Sequence, residues 1–142
     1  FTGRGRGALA KARAETARLM AEEEGEDEAL ARGRISRERK KAFRAPVVVA
    51  VISRAGRDEV ETKENYAACC AAVQNMLLTA HALGLGAIWR TGPVAYHPYM
   101  RRFFALESGD SIVGYLYIGY PDMGGRMRRR RPASEFTVWH EG

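Results

Sequence analysis

Residues 86–93 read Gly-Ala-Ile-Trp-Arg-Thr-Gly-Pro. A short apolar approach ends by setting an indole, a guanidinium, a hydroxyl and a bare glycine side by side. A strand that ends in a glycine-containing loop presents backbone N–H groups that no sheet ladder consumes. Such donors suit a heteroaromatic ring bearing carbonyls and ring nitrogens. Trp89 offers an apolar wall or a stacking surface, and Arg90 offers cationic hydrogen bonding. Thr91 adds a hydroxyl and an amide, and Gly92 keeps the backbone slim where a ring must approach. The same four residues also fit an ordinary strand end, with Trp89 in the core and Arg90 in solvent.

Other chemistries lack their parts. His81, His97 and His140 are scattered without partners at metal-ligand spacing, and His81 reads as a packed or partly exposed helix residue. No nucleophile elbow or phosphate-binding P-loop is present. "GRGRG" at 3–7 has neither a preceding strand nor the GxGxxG spacing. No carboxylate pair stands out from the surface charge. Any difficult chemistry therefore falls to a bound cofactor, with no catalytic side chain expected.

The elements that must position this loop follow from periodicity. "GALAKARAETARLMAEEE" (7–24) carries small and apolar residues at helical spacing. The charged stretch to Lys41 reads as a further helix or a surface excursion. "FRAPVVVAVISR" (43–54) is a β-branched run, the pattern of a strand buried on both faces. The segment 62–86 is the longest helical signal and stops at Gly84 and Gly86. Its Ala67, Ala68, Ala71 and Ala72 permit close approach of another helix. A second strand (87–89), a short helix (97–106) with Pro98 in its first turn and a third strand (111–121) follow. "SEFTVWHEG" at the end reads as a terminal strand or extended tail. The expected class is α+β, helices packed on a sheet.

The chain has 142 residues, enough for one domain, with 46% hydrophobic and 28% charged residues. No run reaches the length of a membrane span, and no membrane partner is expected. Cys69 and Cys70 are adjacent and without a second pair, which fits a reducing cytoplasm better than a disulfide or metal site. The net charge of +6 comes in blocks, acidic at 22–28 and basic at 32–41 and 126–131. The arginine run raises a nucleic-acid-binding module as an alternative. The aromatics lie in apolar strands rather than beside the arginines, so stacking platforms are lacking and no nucleic-acid partner is expected.

"FRAPVVVAV", "AAVQNMLLTAHALGLGAIWRTG" and "IVGYLYIGYP", in that order and at that separation, resemble the FMN-dependent nitroreductase family, closest to the small bacterial members. The resemblance implies a single nitroreductase-like α+β domain over 1–142. Within it, 1–44 is helical and charged, 45–121 holds the sheet and central helix, and 122–142 is a basic connection and tail. It implies a mixed sheet flanked by helices, a long central helix at a homodimer interface and FMN bound there. Trp89, Arg90 and Thr91 would line the flavin, with Gly92 in the same loop and backbone amides near the ring's N5 edge. Thr79 matches a position associated with the nicotinamide of NAD(P)H. By their offset from Pro132, Arg128 and Arg130 match residues that contact the flavin phosphate. The family's N-terminal Arg-Arg-Ser motif is not found in this chain, and "RISR" at 34–37 stands too late to be it. Measured against the family, an N-terminal segment is therefore expected to be missing here, through an incomplete sequence or through genuine loss. The implied activity is ping-pong hydride transfer from NAD(P)H through FMN to nitroaromatics, quinones or related small-molecule acceptors. A flavin-storage protein without efficient turnover is the alternative.

Overall fold

The computed structural model describes residues 1–122 and 130–140. Helices α1 (Gly3–Glu23) and α2 (Glu28–Lys41) precede strand β1 (Val47–Ser53) and the long helix α3 (Glu59–Ala82). Strand β2 (Gly86–Arg90), the short helices α4 (Pro93–Tyr96) and α5 (Pro98–Phe103), and strand β3 (Ser111–Gly119) follow. A 3-10 turn at Ala133–Phe136 lies in the tail. The three strands pair antiparallel in the order β1-β3-β2. One sheet face packs with α1, α4 and α5 around Leu9, Val48, Met100 and Tyr115, and the other carries α3 through Val73, Val113 and Leu116. The class is α+β. Among the described residues, no helix is long and apolar enough to cross a membrane.

The strand buried on both faces is β3, not β1. Ile112 to Tyr117 are all buried, because both helix layers meet across the middle strand. The β-branched run lies in β1 beside it, where only Val48 and Ser53 are fully buried. The outer side of β1 is partly closed by the first residue of the chain. Phe1 donates from its backbone nitrogen to the Val48 carbonyl at 2.7 Å, and its own carbonyl accepts from the Val48 amide at 3.0 Å.

"GRGRG" forms the first turn of α1 rather than a loop. Arg6 secures it, donating to the Ala45 carbonyl at 3.0 Å with its guanidinium 5.7 Å from the Phe43 ring centre. The charged stretch beyond α1 is the helix α2. Asp27 caps it, its carboxylate accepting from the Ala29 and Leu30 amides at 2.9 and 3.1 Å. Glu28 in the first turn and Arg39, Lys40 and Lys41 in the last suit the helix dipole.

Charge, rather than apolar packing, docks α2. Arg13 of α1 and Glu38 of α2 are both buried and pair at 2.5 Å, and Lys41 joins Glu38. Burial raises the Glu38 carboxyl, but Lys41 and Arg13 together hold it below the usual range. A carboxyl lowered on folding stabilises fully above its unfolded pKa of about 4.3, and that stabilisation is lost as the pH falls through the folded value. Glu38→Gln leaves Arg13 buried without its charge partner and should cost about 3–5 kcal/mol at neutral pH. Urea denaturation at pH 7 and near pH 3 should show the gap to the parent narrowing in acid. A gap that does not change with pH would contradict this role.

Helix α3 has a definite start and stop. The Asp58 carboxylate accepts from the Glu61 amide at 2.8 Å. At the far end Gly84 sits at φ +72, with Leu85 N–H bonded to Ala80 at 2.8 Å and Gly84 N–H to His81 at 3.0 Å, the paired bonds of a Schellman ending. Along its length only Val73 and Ala80 are fully buried, while Ala67, Ala68, Ala71, Ala72, Leu78 and Thr79 are exposed. A helix this apolar and this open has a face that none of the described residues covers.

Candidate functional site

The loop after β2 is where the two sheet faces diverge. Trp89, opposite Leu116 in the ladder, turns toward α3. It packs in the cluster of Val73, Val113 and Leu116, and its indole N–H donates to the Val113 carbonyl at 3.2 Å. That passage depends on Gly114, at φ +153, where a β-carbon would lie 2.2 Å from the indole nitrogen. Arg90, opposite Tyr115, turns to the other face.

Thr91 and Gly92 lie beyond the ladder. With Met20, Pro93, Tyr96 and His97 they line a largely apolar cleft of about 490 Å³. Gly92 stands at φ +140, ψ 165, and among the described residues nothing lies within 4 Å of where its β-carbon would be. The glycine is required by its backbone conformation, and it leaves open space above the chain. Its carbonyl accepts from Ala95 at 2.9 Å and starts α4. Among the described residues, neither the Thr91 nor the Gly92 amide has an acceptor. The cleft thus has a largely apolar wall, and the segment that lines one side of it carries two amides without an acceptor among the described residues.

His97 closes the cleft. Its Nδ1 accepts from the Tyr99 amide at 3.1 Å, so the proton of the neutral ring sits on Nε2, 3.3 Å from the Glu23 carboxylate. The pair ties the end of α1 to the start of α5.

A second, smaller cavity of about 90 Å³ adjoins the first through Thr91, lined by Arg13, Lys41, Arg44, Arg90, Thr91, Tyr115 and Tyr117. Burial pushes the Tyr115 phenol up to about 12, with the Arg13 guanidinium opposing it. Tyr117 is raised by the same cause, opposed by Arg13, Arg44 and Arg90. Both phenols are neutral at ordinary pH.

The structure brings Arg90, Thr91 and Gly92 to these two cavities, and sets the Trp89 ring apart from them under α3. Thr79 is exposed near the end of α3, on the sheet face away from Arg90. Arg130 is exposed in the tail, and Arg128 lies outside the described residues. Among the described residues, no group of three His, Cys, Asp or Glu could hold a metal ion.

The sequence model described as the nitroreductase family matches residues 3–120. The chain belongs to the nitroreductase family. Among curated relatives of this nitroreductase-family chain, the Escherichia coli K12 protein named "Putative NAD(P)H nitroreductase YdjA" is 34% identical over 90 residues, 63% of this chain and 49% of that protein. The Bacillus subtilis protein named "Putative NAD(P)H nitroreductase YfhC" is 26% identical over 89 residues, 63% of this chain and 46% of that protein. The match thus spans about half the length of each relative. In three dimensions, a nitroreductase-like family protein from Bacillus cereus superposes with a TM-score of 0.82 at 29% identity, over 100% of this chain and 71% of that one. A BluB-like flavoprotein from Clostridium difficile 630 shares the fold alone, with a TM-score of 0.60 at 17% identity over 99% of this chain and 77% of that one.

The smaller cavity escapes a reading by motif, because its residues come from α1, α2, the β1 approach, β2 and β3. One signal does exist in the nitroreductase-family sequence. Arg13 falls on the same helical stripe as the buried Leu9, Thr16 and Ala17, and a lone cation on an apolar stripe needs a partner inside the fold.

Proposed function

We propose that this chain binds FMN in the Thr91–Gly92 cleft and acts as an NAD(P)H-dependent oxidoreductase on nitroaromatics, quinones or related acceptors. The observation that carries the reading is the pairing of an apolar cleft of about 490 Å³ with two unused amides at Thr91 and Gly92. That volume is within the range of small-molecule sites, and the donors suit the nitrogen- and carbonyl-rich edge of a flavin. Bound FMN supplies two-electron chemistry, taking hydride from NAD(P)H and passing electrons to an acceptor. Family membership and the NAD(P)H in the names of the two bacterial relatives support the same assignment.

The chain's own part is binding, orientation and charge. The Thr91 and Gly92 amides hold the ring's polar edge, and Met20, Pro93 and Tyr96 exclude water from its surface. Arg90, on the neighbouring cavity, places positive charge near the cleft and favours an anionic reduced ring. Arg90→Ala should weaken FMN binding and lower its potential by about 30 mV, a tenfold change for a two-electron couple. A redox titration with an unchanged midpoint would remove Arg90 from this role.

The open face of α3 is proposed as the interface of a homodimer. Ala67, Ala68 and Ala71 let helices approach closely, and a long charged side chain there would be stranded. Ala68→Arg should therefore sediment as a monomer, and a normal dimer would count against the placement.

The protein expressed from its full reading frame should form a yellow complex with FMN. It should bleach anaerobically on NAD(P)H addition and recolour when menadione or a nitroaromatic is added. Binding without reduction would indicate flavin storage. Protein that stays colourless after excess FMN is removed would refute the proposal.

A further inference from the structure

We propose that the small cavity beside the cleft is an oxyanion site that takes the phosphate or carboxylate group of a small molecule. Tyr115 and Arg13 form its floor, and Lys41, Arg44 and Arg90 surround it. The inference does not depend on flavin binding.

Four cations and two neutral phenols line this space, and the nearby carboxylate is Glu38, already paired with Arg13 and Lys41. Among the described residues, Arg44 and Arg90 have no carboxylate within ion-pair distance. So much like charge around one cavity is unfavourable unless an anion offsets it.

The floor gives the second, independent indication. Tyr115 is 1% exposed and Arg13 4%, and among the described residues neither the Tyr115 hydroxyl nor Arg13 Nε has a hydrogen-bond partner. The Arg13 guanidinium lies 5.1 Å from the Tyr115 ring centre, near enough to act on the phenol but without a geometrically formed hydrogen bond to its oxygen. A buried polar group without a partner costs about 1–3 kcal/mol. Both residues line the cavity, and an anion drawn in by Arg44 and Arg90 would give these donors the acceptor they lack. The phenol stays protonated and able to donate, and the guanidinium is always charged.

Size narrows the ligand. A cavity of about 90 Å³ has room for roughly three waters' share of volume. That suits one tetrahedral or planar oxyanion and is too small for an aromatic ring system. Because Thr91 lines both this cavity and the cleft, a molecule lying in the cleft could extend an acidic group into it.

The test is a thermal-shift and calorimetric titration of flavin-free protein with inorganic phosphate and with benzoate, at ionic strength held constant with chloride. Stabilisation by either anion is expected, since a ligand that binds only the folded state raises its melting temperature. Tyr115→Phe keeps the shape of the floor and removes one donor, and Arg44→Gln changes an exposed cation. Each should weaken anion binding about tenfold, the equivalent of one charge-assisted hydrogen bond. Tyr115→Phe without anion should be no less stable than the parent, because it loses an unsatisfied buried hydroxyl; a structural role for that hydroxyl would lower its stability instead. Arg57→Gln, at a cation exposed elsewhere on the surface, should bind as the parent does.

Competition identifies the source of the group. Displacement of phosphate by FMN but not riboflavin assigns the pocket to a phosphate ester, and displacement by benzoate assigns it to acidic acceptors. The proposal is overturned if neither anion stabilises the parent protein. It is equally overturned if Tyr115→Phe and Arg44→Gln bind as tightly as the parent.

Discussion

Gly92→Val is expected to weaken FMN binding at least 100-fold, about 2.7 kcal/mol, with little loss of overall stability. At φ +140 the backbone is in a region that a β-branched residue does not tolerate. Holding valine there would cost about 1–3 kcal/mol, so the loop will relax instead. Relaxation turns the Thr91 and Gly92 amides away from the cleft and disturbs the Ala95 to Gly92 bond that starts α4. Open space surrounds the missing side chain, so packing alone would accept it, and the loss is one of conformation. Gly92→Ala should fall between the two. Fluorescence titration of FMN, paired with a urea melt of each variant, separates a lost site from a lost fold. Parent-like affinity in Gly92→Val would show that these amides do not hold the ring.

The largest loss of stability is expected for Gly114→Ala, about 4 kcal/mol. Strain at φ +153 and overpacking each contribute on the order of 1–3 kcal/mol. The added carbon would lie 2.2 Å from the indole nitrogen, 2.7 Å from Cδ1 and 2.9 Å from the Arg90 carbonyl. It stands where the β1–β3 register shifts, between Val51 and Ile52, so the neighbouring strand is already irregular. Trp89 must then swing out, give up its bond to Val113 and uncover Val73 and Leu116. Equilibrium denaturation and the near-ultraviolet dichroism of the tryptophans should both register this. A change under 0.5 kcal/mol would mean that Trp89 is not packed under α3.

Much of this arrangement is legible in the sequence. The alternation of helices and strands, the Gly84 stop of α3 and the family pieces around 43–51, 71–92 and 112–121 all correspond to observed elements. Local signals suffice there, because propensity, capping and turn chemistry agree with the tertiary fold. The β-branched run of β1 misleads about burial, since apolar content does not show which strand will take the covered middle of the sheet. The more aromatic β3, with a glycine in its middle, takes that place because Gly114 admits Trp89 across it. "WRTG" falls where β2 gives way to its loop, yet sequence adjacency hides that Trp89 and Arg90 face opposite sides of a sheet. The cluster around Tyr115 is the least legible feature. Its members are scattered from Arg13 to Tyr117 and meet only once α1, α2 and the sheet have packed.

The central claim is that the loop at Thr91–Gly92 receives the flavin, and amide-resolved NMR tests it most directly. A 15N-labelled sample titrated with FMN should show its largest shifts at the Thr91 and Gly92 amides. Their hydrogen exchange should slow as they gain an acceptor, while the amides of the Asp27 cap of α2 stay in place. Saturating shifts confined to other parts of the chain, with Thr91 and Gly92 unmoved, would contradict the account.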